Sequence, residues 1–101
     1  MSYYVISAAR HLDQRLKALS AITRNSLPPR GWIRAIRDAL GMTTVQLARR
    51  LGVSQPRITE LEKSELSGSI SLRSLRRAAE ALGCQVVYVL VPNKPLEMVL
   101  R

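Results

Sequence analysis

The pattern that most restricts this chain lies in "TVQLARRLGVSQPRITELEK", residues 44 to 63. Val45, Leu47, Ala48 and Leu51 recur at helical spacing, and Thr43 or Thr44 stands ready as the N-cap. Gly52 ends that helix and supplies the backbone freedom for a tight turn at Gly52-Val53. Ser54 then caps a second helix whose apolar side is Ile58 and Leu61. Ala48 is small where the two helices cross, and Val53, Ile58 and Leu61 seat the second helix on a core. One residue looks misplaced. Arg57 lies in the first turn, where a cation opposes the helix macrodipole by roughly 0.3–1 kcal/mol.

The rest of the chain arranges itself around this pair. Residues 5 to 22 read as an amphipathic helix, with Val5, Ala8 or Ala9, Leu12, Leu16, Leu19 and Ile22 at i, i+3/i+4 spacing. "TRNSLPPRG", residues 23 to 31, stops it and forms a short extended linker. "WIRAIRDAL" predicts a helix with Ile33, Ile36, Ala39 and Leu40 on one side, closed by Gly41. A further helix starts near Ser71, with Leu72, Leu75, Ala78 or Ala79 and Leu82 inward and Gly83 at its end. "CQVVYVLV", residues 84–91, is β-branched and apolar and reads as a strand ended by Pro92. A lone strand leaves its backbone N–H and C=O groups unpaired. Its expected solution is antiparallel pairing across a two-fold axis through Val86, Val87, Tyr88, Val89 and Leu90, giving a homodimer. An exposed edge, hazardous for so apolar a segment, and a weak second strand at "YYVI", residues 3 to 6, are the other options. The expected division is an arm and linker over 1–30, a helical domain over 31–83, and a dimerising strand and tail over 84–101.

Composition narrows the function. The 101 residues suit one compact domain with an appended arm. With 47% apolar residues, only 4% aromatics and no Phe, the core must be aliphatic. The formal charge is +9, from 16 Lys+Arg against 7 Asp+Glu, spread along the whole chain and mostly arginine. Arginine suits bidentate contacts to phosphate and to base edges, so nucleic acid is the partner this balance favours. A basic face that meets an acidic protein is the competing explanation. The single Cys84 excludes an internal disulfide, and with one His there is no metal-ligand spacing. Cys84 reads as a buried structural thiol. Nucleophile elbows and Gly-rich phosphate loops are absent, which argues against an enzyme and against any cofactor. No apolar run approaches 18 residues, so the expectation is a soluble cytoplasmic chain at the nucleoid, away from membranes.

The spacing Thr44-Val45-Gln46-Leu47-Ala48-x-x-Leu51-Gly52-Val53-Ser54-x-x-x-Ile58-x-x-Leu61-Glu62 matches a helix-turn-helix. "TTVQLARRLGVSQPRITELEKSE" resembles the DNA-binding core of the Xre/Cro/cI-like repressors, over about residues 31 to 83. The expected fold is therefore mainly α: a repressor-like helix-turn-helix bundle with an N-terminal helical arm and one C-terminal strand pairing across a dimer. The wider chain, "PPRGWIRAIRDALGMTTVQLARRLGVSQPRITELEK" followed by "LRRAAEALGCQVVYVLVP", is similar to the mobile mystery protein A family. Its members typically lie beside a gene for a Fic-domain protein. The resemblance implies an autorepressing, antitoxin-like partner of a Fic-domain toxin. The [S/T]-x-x-x-E-[G/N] pattern of Fic-inhibiting antitoxins does not occur here.

Carried over by position, the resemblance makes residues 55–63 the recognition helix in the major groove of double-stranded DNA. It places Gln55, Pro56 and Arg57 at base edges, with Thr59 and Glu60 on the next turn. Gln pairs bidentately with adenine and Arg with guanine, each worth roughly 1–3 kcal/mol of discrimination. Pro56 departs from repressors with a second Gln there, although the first helical turn tolerates it. Phosphate contacts fall on Thr43, Thr44 and Gln46 at the start of the first motif helix, and on Lys63, Ser67, Ser69, Ser71 and Arg73 after the recognition helix; Arg50 is a further candidate. Thr44 and Ser71 also suit plain N-caps. Glu60 has two roles open: holding Arg57 at i+3, or accepting from cytosine. Arg34, Arg37, Arg76 and Arg77 read as surface, dimer or partner residues. Trp32 reads as core at the linker junction or as a partner anchor. The alternative function is a protein-interaction module that neutralises a toxin through its N-terminal helix.

Overall fold

A computed structural model describes residues 2–25 and 27–100. The described residues form six helices: α1 (Tyr3–Asn25), α2 (Trp32–Ala39), α3 (Thr44–Leu51), α4 (Gln55–Ser67), α5 (Leu72–Ala81) and α6 (Leu96–Val99). They divide into two compact units, Pro28–Val87 and the pairing of Met1–Leu27 with Tyr88–Arg101.

The Pro28–Val87 unit is built on aliphatic side chains that the helical spacing brings to one interior. Ile33 of α2, Leu47 and Ala48 of α3, Ile58 and Leu61 of α4, and Ala78 of α5 form the core, with Met42 and Leu82 closing it. Leu47 and Ile58 are fully buried. Helix α3 starts in a reciprocal cap: Gln46 N–H donates to Thr43 Oγ1 at 3.1 Å, and Thr43 N–H donates to Gln46 Oε1 at 2.8 Å. It ends at Gly52, whose φ of 72° lets the Val53 N–H turn back to the Ala48 carbonyl. The turn expected at Gly52-Val53 therefore forms, and it aims α4 across α3.

Polar groups fix α2 on this frame. The Glu65 carboxylate accepts from Trp32 N–H at 2.7 Å and from Ile33 N–H at 2.9 Å, capping a helix that has no side-chain cap of its own. Arg37 donates to Glu62 Oε1 at 2.8 Å and to the Met42 carbonyl at 3.0 Å. With only 9% of its surface exposed, Arg37 is an interior residue. Its assignment to a surface or partner face is thus corrected: Arg37 follows Ile33 by four positions and shares its inward side. For Trp32 the core reading is corrected in the opposite sense, since the side chain is 47% exposed at the first position of α2. Leu40 and Leu72, placed inward by spacing, are exposed because each lies at a helix end.

The expected strand at 84–91 does not form. Cys84 N–H closes the end of α5 on the Ala79 carbonyl, and the chain then runs without helix or strand to Pro95. Val86, Val87, Tyr88, Val89 and Leu90 belong to no ladder, and no strand occurs among the described residues. β-Branched composition favours extended backbone, but a strand exists only where a neighbour completes its hydrogen bonds. "YYVI", the alternative partner, is the first turn of α1.

In the other unit, α1 carries α6. Asp13 of α1 accepts from the N–H groups of Leu96 and Glu97 at 2.7 and 3.1 Å, and Arg10 pairs with Glu97 at 2.9 Å. That bond to Glu97 raises the Arg10 pKa above its ordinary value. Ala9 is buried here, whereas Val5, Leu12 and Leu19 of the expected apolar stripe are exposed.

Candidate nucleic-acid interface

The fold turns the start of α4 outward. Ile58 and Leu61 bury one side of the helix, which leaves Gln55, Pro56, Thr59, Glu60 and Lys63 together on the opposite side, lining one shallow depression. Four of the five residues expected at base edges, with the expected phosphate contact Lys63, therefore share a surface. The fifth, Arg57, borders it: its side chain is 42% exposed and pairs with Glu60 at 3.1 Å. Glu60 holds the arginine, as one of its two sequence-based roles required.

Pro56 occupies the first turn of α4, where its missing N–H removes no intrahelical bond. Ser54 is at the N-cap, but its side chain makes no capping bond. Gln55 is positioned from α3. Its Nε2 donates to the Thr44 hydroxyl at 3.0 Å, linking the first residues of the two motif helices. A primary amide has two N–H donors and a carbonyl acceptor, so this bond uses one donor and orients the rest. Thr44 acts here through its hydroxyl and not as the cap, a role taken by Thr43.

The expected phosphate-contacting residues are more dispersed. Thr43 and Gln46 are joined by the α3 capping bonds, and Gln46 borders a second depression with Arg49 and Arg50. Arg50 donates to the Ala81 carbonyl at 3.2 Å, tying α3 to the C-terminal turn of α5. A cation at a helix C-terminus is favoured by the macrodipole, so this contact accounts for the residue within the fold. The Ser67 and Ser69 hydroxyls lie 2.9 Å apart at the C-terminal end of α4. Ser71 caps α5 by accepting from Ser74 N–H at 3.0 Å, and Arg73 is exposed on the first turn of that helix.

Sequence reasoning missed the residues that hold α4 in place. Of its three carboxylates, Glu62 is bound to Arg37 and Glu65 to the start of α2. Glu60 alone of the three lies on the outer face. The available signal was spacing: Glu62 and Glu65 follow Ile58 and Leu61 by four residues each, which puts both beside the buried stripe.

The model of the Helix-turn-helix family matches residues 33–89. The chain belongs to that family, the Xre/Cro/cI-like group of DNA-binding regulators. No curated protein and no solved structure matches it. Among the described residues, no group of three or more His, Cys, Asp or Glu could hold a metal ion, and no helix is long and apolar enough to cross a membrane.

Proposed function

We propose that this chain is a sequence-specific transcriptional regulator that reads the major groove with residues 55–63. The observation that carries the reading is the outer face of α4. It gathers Gln55, Arg57, Thr59, Glu60 and Lys63, and the hydrogen bond from Gln55 to Thr44 orients the leading amide before DNA arrives. The charge of +9 supplies the sequence-independent attraction to phosphate. The test is fluorescence anisotropy with duplexes from the region upstream of its own reading frame, against random duplexes. Arg57→Ala should narrow the gap between the two. Lys63→Ala should weaken both alike and lower the log–log salt slope by about one. An Arg57→Ala protein with unchanged preference removes that arginine from base readout.

The regulator acts as a homodimer in this reading, with its two motifs set about 34–36 Å apart on a pseudo-palindrome. Support comes from the exposure of Tyr88 and Leu90, apolar side chains that a second copy would cover. Full-length Tyr88→Asp and Leu90→Asp should lower the mass measured by light scattering; an unchanged mass counts against an interface there. An antitoxin role beside a Fic-domain toxin rests on the family resemblance. The exposed Tyr3, Tyr4 and Val5 on α1 favour that helix as the toxin-facing element. Co-purification with the neighbouring gene product tests it, and no complex leaves transcriptional control alone.

A further inference from the structure

We infer that Glu60 is a specificity-determining residue: at the base it meets it requires an amino group in the major groove, cytosine N4 or adenine N6, and it withholds Arg57 where guanine or thymine stands there. The inference rests on the DNA-binding reading above and adds to it the class of base that the second turn of α4 accepts.

Glu60 is 68% exposed and shares the depression with Gln55, Pro56, Thr59 and Lys63, so whatever fills the depression meets its oxygens. An ionised carboxylate only accepts hydrogen bonds. Phosphate oxygens, guanine O6 and N7, and thymine O4 are acceptors too, and each would repel it. In the major groove the donors are cytosine N4 and adenine N6. Only these let Glu60 approach DNA with its charge answered.

The ion pair makes the choice consequential. Arg57 and Glu60 are one helical turn apart and 3.1 Å from contact to contact. Where guanine or thymine stands at that position, Glu60 meets only acceptors and its pair with Arg57 remains closed. Where an amino group engages Glu60, the guanidinium is released to an acceptor, guanine O6/N7 on a neighbouring base pair. The two residues thus read a donor and an acceptor as one unit. The other α4 carboxylates cannot share the role, because Glu62 and Glu65 are bound to α2.

The test uses the full-length protein and a selection from randomised duplexes, followed by anisotropy at several salt concentrations. Wild type should enrich cytosine or adenine at one position of each half-site. Glu60→Gln and Glu60→Ala should cut that enrichment by about tenfold, the scale of one base-edge contact. Both should bind random duplex several-fold more tightly, with a salt slope steeper by about one as Arg57 turns to phosphate. In the double variant Arg57→Ala/Glu60→Ala the extra random-duplex affinity should disappear. Unchanged enrichment with unchanged random-duplex affinity in Glu60→Ala overturns the inference and leaves DNA binding standing. A wild type that enriches no duplex overturns the DNA-binding reading, and the inference with it. Glu60 is exposed, so matched thermal melts will show that the variants fold.

Discussion

Helices α2 and α6 begin in the same way and stand on different footings. Each has two N-terminal N–H groups held by a carboxylate from another helix, Glu65 for α2 and Asp13 for α6. A carboxylate there satisfies donors that a helix leaves open and meets the positive end of its dipole. Beyond the cap they diverge. Helix α2 buries Ile33 in an aliphatic core and locks Arg37 onto Glu62, whereas no residue of the four-residue α6 is buried. The same bond therefore completes a packed element in one unit and supplies much of the attachment in the other. A cap orients a helix, and burial decides how cooperatively it is held.

This contrast can be broken most forcefully at Arg37. Arg37→Ala would leave Glu62 almost buried and without its cation, at a cost of about 3–5 kcal/mol. Urea denaturation should show a loss on that scale for the whole Pro28–Val87 unit; a loss below 1 kcal/mol would make the pair peripheral. A smaller effect is expected at Gly31, whose φ of 88° and ψ of 164° belong to a region essentially reserved for glycine. A Cβ there would also lie 2.9 Å from the Glu65 carboxylate that caps α2. Gly31→Ala should cost about 1–3 kcal/mol in the same measurement. The mildest global effect belongs to Asp13→Ala. Losing a cap is worth about 0.5–2 kcal/mol, and here it should appear as faster amide exchange at Leu96 and Glu97, with protection at Ile58 unchanged. Faster exchange at both sites would merge the two units into one cooperative structure.

The helix-turn-helix was legible because its information is local. Val45 to Leu51 and Ile58 to Leu61 follow the helical period, Gly52 marks the turn, and Thr43 with Gln46 forms a cap within four residues. The outer face of α4 follows from the same period, since burying Ile58 and Leu61 leaves Gln55, Thr59, Glu60 and Lys63 opposite. The arginine in the first turn also becomes intelligible. Glu60 one turn later answers its charge in the free protein.

Other features depended on residues far apart in the chain. Arg37 read as a surface cation until Glu62 and the Met42 carbonyl were found around it. Arg50 was expected at phosphate, and its bond to the Ala81 carbonyl, which ties α3 to α5, lies beyond what spacing shows. The segment 84–91 has strand-like composition, and the described residues supply no neighbouring strand. Helix α6 escaped notice because four residues carry too little periodicity, and its cap comes from Asp13 more than eighty residues earlier.

By itself the sequence determined the family, the motif helices and the side of α4 that faces outward, since helical periodicity and turn chemistry act over a few residues. Only the tertiary structure decided which charged groups were already engaged. Arg37, Glu62, Glu65 and Asp13 are bound within the fold, and Glu60 is left facing out beside Arg57. The reason is physical: a hydrogen bond or ion pair requires atoms about 3 Å apart, and folding sets that distance for residues distant in the chain.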